Sequence, residues 1–254
     1  MLSVFAVAGN TFRETIRDKI LYNLVFFAVL LIGASVLLGT LTLGEQARIV
    51  NDLGLASINL VAVIVAVFVG IGLVSKEIER RTIYTILARP ITRVQFLLGK
   101  YLGLVFIVVV NVAIMFAMFL VTVWLSGFGV HGALFQAIEL MVVEALLVMA
   151  IALFFSTFSS STLSASMAIG MYIVGHLTSD LKLIAEKSPY QATKVLMTVL
   201  YYLCPNLEAL NIKGQAASGV PIAIATQALA TTYGFLYTGL LLVGAWIIFE
   251  RREF

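Results

Sequence analysis

The sequence predicts an all-α, polytopic membrane protein with six transmembrane helices, and three observations carry that prediction. Hydrophobic residues make up 61% of the 254 and charged residues only 11%, against about 25% charged in an ordinary soluble domain. So few charges cannot cover the surface of a water-soluble fold. Apolar stretches recur at about 21–43, 55–75, 101–126, 133–157, 163–180 and 223–249, and a hydrocarbon core about 30 Å thick takes roughly 20 helical residues to cross. The dense polar interruption between two of them, Ser75–Lys100, holds six of the sixteen Lys and Arg residues. A basic loop between apolar spans is the pattern of a segment kept in the cytoplasm.

In chain order, residues 10–20 read as a short helix along the cytoplasmic interface. Thr11 and Glu14 have capping-box spacing, and Phe12, Ile16 and Ile20 recur every four residues as one apolar stripe beside Arg13, Arg17, Asp18 and Lys19. The segment is either a run-in to the first span or an elbow helix that helps cradle a partner. The N-terminus, residues 1–20, is not expected to be a cleaved signal, because its charges follow the first apolar residues and no basic region precedes an apolar core. Gly99 and Gly103 permit close helix contact, as Gly234, Gly239 and Gly244 do more loosely, and either set suits a dimer interface. The fourth and fifth spans are separated only by the turn Ser156–Thr162, whose short hydroxyl side chains suit both helix ends.

Residues 181–222 form the sizeable segment on the far side. Ser188-Pro189-Tyr190-Gln191 has the grammar of a helix start with Pro at the first helical position, and Cys204-Pro205 ends that helix near Leu203. The segment is expected to lie on the membrane or to re-enter it.

With six spans both termini share one side, and that side collects eleven of the sixteen basic residues: Arg13, Arg17, Lys19, Lys76, Arg80, Arg81, Arg89, Arg93, Lys100, Arg251 and Arg252. Arg48, Lys182, Lys187, Lys194 and Lys213 lie opposite. The positive-inside rule therefore expects both termini and the 76–100 loop in the cytoplasm.

Within that loop, Ser75 can cap a helix whose first turn carries Glu77 and Glu79, favourable against the positive end of the helix dipole. Ile78, Ile83, Ile86 and Leu87 give it an apolar side, and Arg80 and Arg81 face water or a partner. Pro90 disfavours helix at Arg89 and stops it. Thr92 and Gln95 then form a second capping-box pair that opens the third span. A helix–break–helix of this kind can pass a push from below into two spans at once. The plainer reading is a loop whose arginines serve only topology.

The run EIERRTIYTILARPITRVQFLLGKYLG resembles the cytoplasmic loop of type-2 ABC transporter permeases. There an acidic and Arg-rich start, a Thr, a Leu-x-x-Pro, a Ser/Thr-Arg and a late Gly-Lys recur, matched here by Glu77, Glu79, Arg81, Thr82, Leu87, Pro90, Thr92, Arg93, Gly99 and Lys100. The resemblance extends to an amphipathic N-terminal helix, six spans, the Ser-rich turn and the excursion before the last span. The nearest subgroup in resemblance is the permeases linked to copper-enzyme maturation. The resemblance implies that the loop is a coupling helix between the second and third spans, docking on a separate ATPase subunit. Glu77, Glu79, Arg80, Arg81, Thr82, Leu87, Pro90, Thr92 and Arg93 would form the docking surface. It further implies two permease chains, identical or sibling, and ATP and Mg bound on the partner ATPase.

Glu139 and Glu144 lie in the fourth span, where a charge near the bilayer centre is costly and faces a cavity or a partner. Glu139 is near enough to the outer interface to be solvated, and Glu144 is deeper. Five residues are about 500° of helical rotation, which leaves the two about 140° apart and in separate sites. Glu144 is read as a structural or dimer contact, as a lining of the substrate path, or as a protonated and inert residue. His176 stands near the outer end of the fifth span as a structural histidine. Met141, Met149, Met167 and Met171 fill apolar helices, no Met pair neighbours a His or Cys at chelating spacing, and no metal site is expected. The lone Cys204 cannot form an internal disulfide.

The chain carries no G-x-x-x-x-G-K-[ST] run, so the usual phosphate cradle must come from elsewhere. No Ser/His/Asp or Cys/His arrangement supports catalysis, and no basic stripe supports nucleic-acid binding. The expectation is a non-enzymatic, single-domain permease of the cell membrane, an exporter driven by a partner ATPase. The alternative is a membrane anchor or assembly factor that docks a soluble partner on the same loop. An intramembrane enzyme would need catalytic groups clustered in the spans.

Overall fold

The computed structural model describes residues 2–16, 19–41, 44–72 and 92–251. Among them the protein is all helix: α1 (Leu2–Ile16), α2 (Lys19–Thr40), α3 (Gln46–Gly72), α4 (Arg93–Leu125), α5 (Gly132–Ser156), α6 (Ser161–His176), α7 (Thr178–Lys187), α8 (Gln191–Leu203), a 3-10 turn (Glu208–Leu210), α9 (Lys213–Ala217) and α10 (Ile224–Arg251). The long helices run alternately up and down. One end of the bundle carries Thr92, the Ser156–Ser161 turn and Arg251, and the other carries Gly44, Gly127 and the layer of short helices α7 to α9.

The centre is α3 against α5, with α2, α4 and α10 around them. From Leu140 to Leu153 nearly every α5 side chain is buried, Glu144 included, as expected of a helix that is apolar all round. Small residues set the separations: a Cβ on Gly70 would lie 2.8 Å from the Met149 carbonyl oxygen and 2.9 Å from Ala152 Cβ, so α3 and α5 pack backbone to backbone. The turn after α4 is fixed by Gly127, whose φ of 75° only glycine adopts readily. It donates to the Trp124 carbonyl at 3.1 Å while Phe128 N–H reaches Val123 O at 3.1 Å, a Schellman stop.

Several local expectations need correction. Residues 11–20 do not begin a helix at Thr11. Helix α1 starts at Leu2, Thr11 lies buried in its middle, and Glu14 is exposed, so no capping box forms there. The cause is tertiary: α1 lies on α4, where Gly99 approaches Val4 O and Val7 and Gly103 approaches Ala8 O and Thr11, with Phe12 edge-on to Phe106 at 5.9 Å. The Gly99/Gly103 notch is thereby filled within the chain and is not free for a dimer. Gly234 is likewise filled by Val143, whereas Gly239 meets nothing.

Of the six spans expected, the described residues show a part. Four helices, α3, α4, α5 and α10, are long and apolar enough to cross a membrane. A fifth crossing arises only if Gln191–Leu203 and Glu208–Ala217, bent by 47°, count as one. The described apolar part of α2 is Leu24–Thr40. The stretch expected to run from 163 to 180 stops at His176 because Thr178 Oγ1 donates to the Gly175 carbonyl at 2.5 Å, and Leu207 N–H reaches the same oxygen at 3.0 Å. Helix α8 does end at Leu203, but it begins at Gln191 with Tyr190 as its N-cap. Pro189 therefore precedes the helix, and Ser188 Oγ accepts from Tyr190 N–H at 3.2 Å.

Candidate functional site

The expected docking residues Glu77, Glu79, Arg80, Arg81, Thr82, Leu87 and Pro90 lie outside the described residues. Their last two companions are described, and they sit where the loop joins the bundle. Thr92 is the N-cap of α4 with extended backbone, φ −72° and ψ 153°. Its Oγ1 accepts from Gln95 N–H at 3.3 Å, and its own N–H donates to Gln95 Oε1 at 3.3 Å. This is the reciprocal capping box the spacing predicts.

Arg93 reaches into the bundle. Its Nη1 donates to the carbonyls of Phe249 and Glu250, 3.0 Å each, at the C-terminal end of α10, where orphan carbonyls and the negative end of the helix dipole favour a cation. The Phe96 ring stacks with Phe249 at 6.4 Å, and Lys100 Nζ lies 5.4 Å from the Phe96 ring centre. The start of α4 is thus fastened to the end of α10. A backbone carbonyl acceptor has no signature in the sequence, so this pairing was not legible there.

In the interior, Glu144 is completely buried. His176 Nε2 lies 3.3 Å from Glu144 Oε1, the Tyr172 and His176 rings are 4.6 Å apart, and Asn59 of α3 lies beside both Glu144 and Tyr172. The two residues read separately in the sequence therefore form one cluster. Their depths agree: Glu144 is twelve residues before Ser156 and His176 fifteen after Ser161, about 18 and 22 Å from a shared turn at 1.5 Å per residue. Glu139 is separate, as its helical phase predicts. It is exposed and accepts from Gln227 Nε2 and from Thr231 Oγ1, the latter at 3.0 Å.

Above this cluster a polar collar holds the short helices to the long ones. Gln136 bonds the Ile222 backbone in both directions at 3.1 Å. Tyr233 Oη accepts from Asn206 N–H at 2.7 Å, and Tyr237 Oη donates to Leu203 O at 3.0 Å. Outside the collar an open groove of about 660 Å³ is lined by Glu208, Asn211, Gln215, Ser218 and Thr226 among others. No group of three or more His, Cys, Asp or Glu side chains able to hold a metal occurs among the described residues.

The arrangement suits a membrane protein that moves as packed helices: an apolar bundle, a capped and fastened junction at one end, and a clamped polar layer at the other. No curated protein matches the chain. The family model of the ABC-2 family transporter proteins matches residues 5–254, nearly the whole length. The chain belongs to that family, as a multi-pass ABC transporter permease.

Proposed function

We propose that this permease is the transmembrane subunit of an ATP-driven exporter in the cell membrane. It works as a pair of chains with two copies of a separate ATPase, which bind ATP and Mg and dock on the 76–93 loop from the cytoplasm. The family match over residues 5–254 carries the reading, and a sequence without a G-x-x-x-x-G-K-[ST] run supports hydrolysis on a partner. The eleven-to-five basic bias supports both termini and the loop being cytoplasmic. Within the family the loop most resembles that of permeases linked to copper-enzyme maturation, although no residue pattern brings a copper substrate with it.

The junction gives the coupling its mechanics. When the ATPases close on ATP, the loop moves with them, and Thr92 and Arg93 transmit the displacement. The capping box makes the first turn of α4 rigid, and the Arg93 guanidinium ties that turn to the end of α10. The two helices then move as one lever. Glu77→Arg, Arg81→Glu and Pro90→Ala are expected to abolish permease-dependent ATP hydrolysis in the reconstituted complex while leaving membrane insertion intact. Unchanged hydrolysis in all three variants would sink the coupling assignment.

A further inference from the structure

From the buried cluster on α5 and α6 we infer that Glu144 and His176 form a proton-binding site, with one proton held between Glu144 Oε1 and His176 Nε2. The geometry counts the protons. His176 Nδ1 lies 3.2 Å from the Tyr172 carbonyl oxygen; a carbonyl only accepts, so Nδ1 carries hydrogen. In a neutral ring Nε2 is then a bare acceptor, and it lies 3.3 Å from Oε1, which is also an acceptor when the carboxyl is ionised.

Without a further proton, two acceptors face each other beside a full negative charge in a buried site, an arrangement of high cost. No side chain reaches Glu144 Oε1 or His176 Nε2 in good hydrogen-bond geometry, and of the near neighbours Asn59 acts on the carboxylate as a donor. One proton in the contact resolves this, either as a carboxylic acid donating to Nε2 or as an imidazolium facing a carboxylate. Both forms are neutral overall. A second proton would leave a buried net positive charge.

The Asn59 amide can donate to the carboxylate but releases no proton, and no surrounding group places a hydrogen between Oε1 and Nε2. Tyr172 on α6 and Asn59 on α3 complete the near shell, and the charged groups that act on Glu144 are His176, Lys213 of α9 and Glu208 of the 3-10 turn. Lys213 makes no hydrogen bond to the carboxylate. The proton also has a structural consequence. His176 ends α6, and Gly175 beside it receives Leu207 N–H and Thr178 Oγ1. The loaded pair therefore fastens to α5 the point from which the layer of short helices hangs. The site needs no ATPase to hold its proton.

The test uses the full chain in lipid nanodiscs with ¹⁵N-labelled histidine. The chain has two histidines, and His131 is exposed, so His131→Gln leaves a single imidazole in the nitrogen spectrum. At about pH 7 a free imidazole with pKa about 6.5 is mostly neutral and a free carboxyl with pKa about 4.3 is ionised. The expected spectrum has Nδ1 protonated and Nε2 either protonated as well or accepting from a carboxylic acid. In the second case infrared spectra show a protonated-carboxyl C=O band that is lost in Glu144→Gln. A bare Nε2 beside an ionised carboxylate, or a ring with only Nε2 protonated, would overturn the inference. A doubly protonated ring is decided by the nitrogen spectrum alone; with Nε2 unprotonated the carboxyl band decides, and ¹³C-labelled glutamate assigns it with Glu144 and His176 both intact, whether or not Glu144→Gln folds.

Discussion

Replacing Arg93 by alanine tests whether the junction between the loop and the bundle is a rigid lever. The side chain makes two charge-assisted hydrogen bonds to the last carbonyls of α10. Bonds of this kind are worth about 1.5–3 kcal/mol each where well shielded. One of the two lies in an exposed setting, where solvent screening takes most of that away. A cation at a helix C-terminus contributes about 0.3–1 kcal/mol by itself. The stacked Phe96–Phe249 pair survives the substitution, so the net loss is about 1.5 kcal/mol, or roughly tenfold in the local opening equilibrium. Hydrogen exchange of the amides in the last turns of α10 should accelerate by about that factor. Arg93→Lys keeps the charge but cannot bridge two carbonyls as a planar fork does, so its exchange should fall between the two. Exchange in Arg93→Ala equal to that of the wild type would refute the fastening of α4 to α10.

Two further predictions concern helix contacts. Gly103→Val drives a side chain into Ala8 O and Thr11, and overpacking of this kind costs about 1–3 kcal/mol. Its melting temperature in detergent should fall, whereas Gly239→Ala, which meets open space, should leave melting unchanged. At the other end, a Cβ on Gly175 lies 2.8 Å from both the Leu207 side chain and the Pro205 carbonyl. Gly175→Val should therefore loosen the segment after α8 and speed maleimide labelling of Cys204, the chain's single cysteine. An unaltered labelling rate would show that the close approach does not hold that segment.

What was legible in the sequence was local, or set by long apolar runs. The four long helices followed from uninterrupted hydrophobicity, the Thr92–Gln95 box from three-residue spacing, and the separation of Glu139 from Glu144 from 100° per residue. Thr11 and Glu14 show the limit of such reasoning. Their spacing matches that of Thr92 and Gln95, yet Thr11 sits mid-helix because glycines almost a hundred residues away give α1 a surface to lie on. The break at His176 depends on Leu207 reaching back to the Gly175 carbonyl, a bond that no local pattern announces. The pairing of Glu144 with His176 was closer to reach. Both lie at similar distances from the serine-rich turn, and counting residues outward from it would have placed them at the same depth. The partner of Arg93 is a pair of backbone carbonyls, which any sequence would supply.

The most direct test of the permease reading is a pull-down of the tagged chain from native membranes in mild detergent, with stoichiometric partners identified. A co-purifying ATPase with a phosphate loop, lost when Glu77 and Arg81 are reversed in charge, is the expected result. Recovery of the chain without any nucleotide-binding subunit, under conditions that keep other membrane complexes whole, would contradict it and favour an anchor that docks a different soluble protein on the same loop.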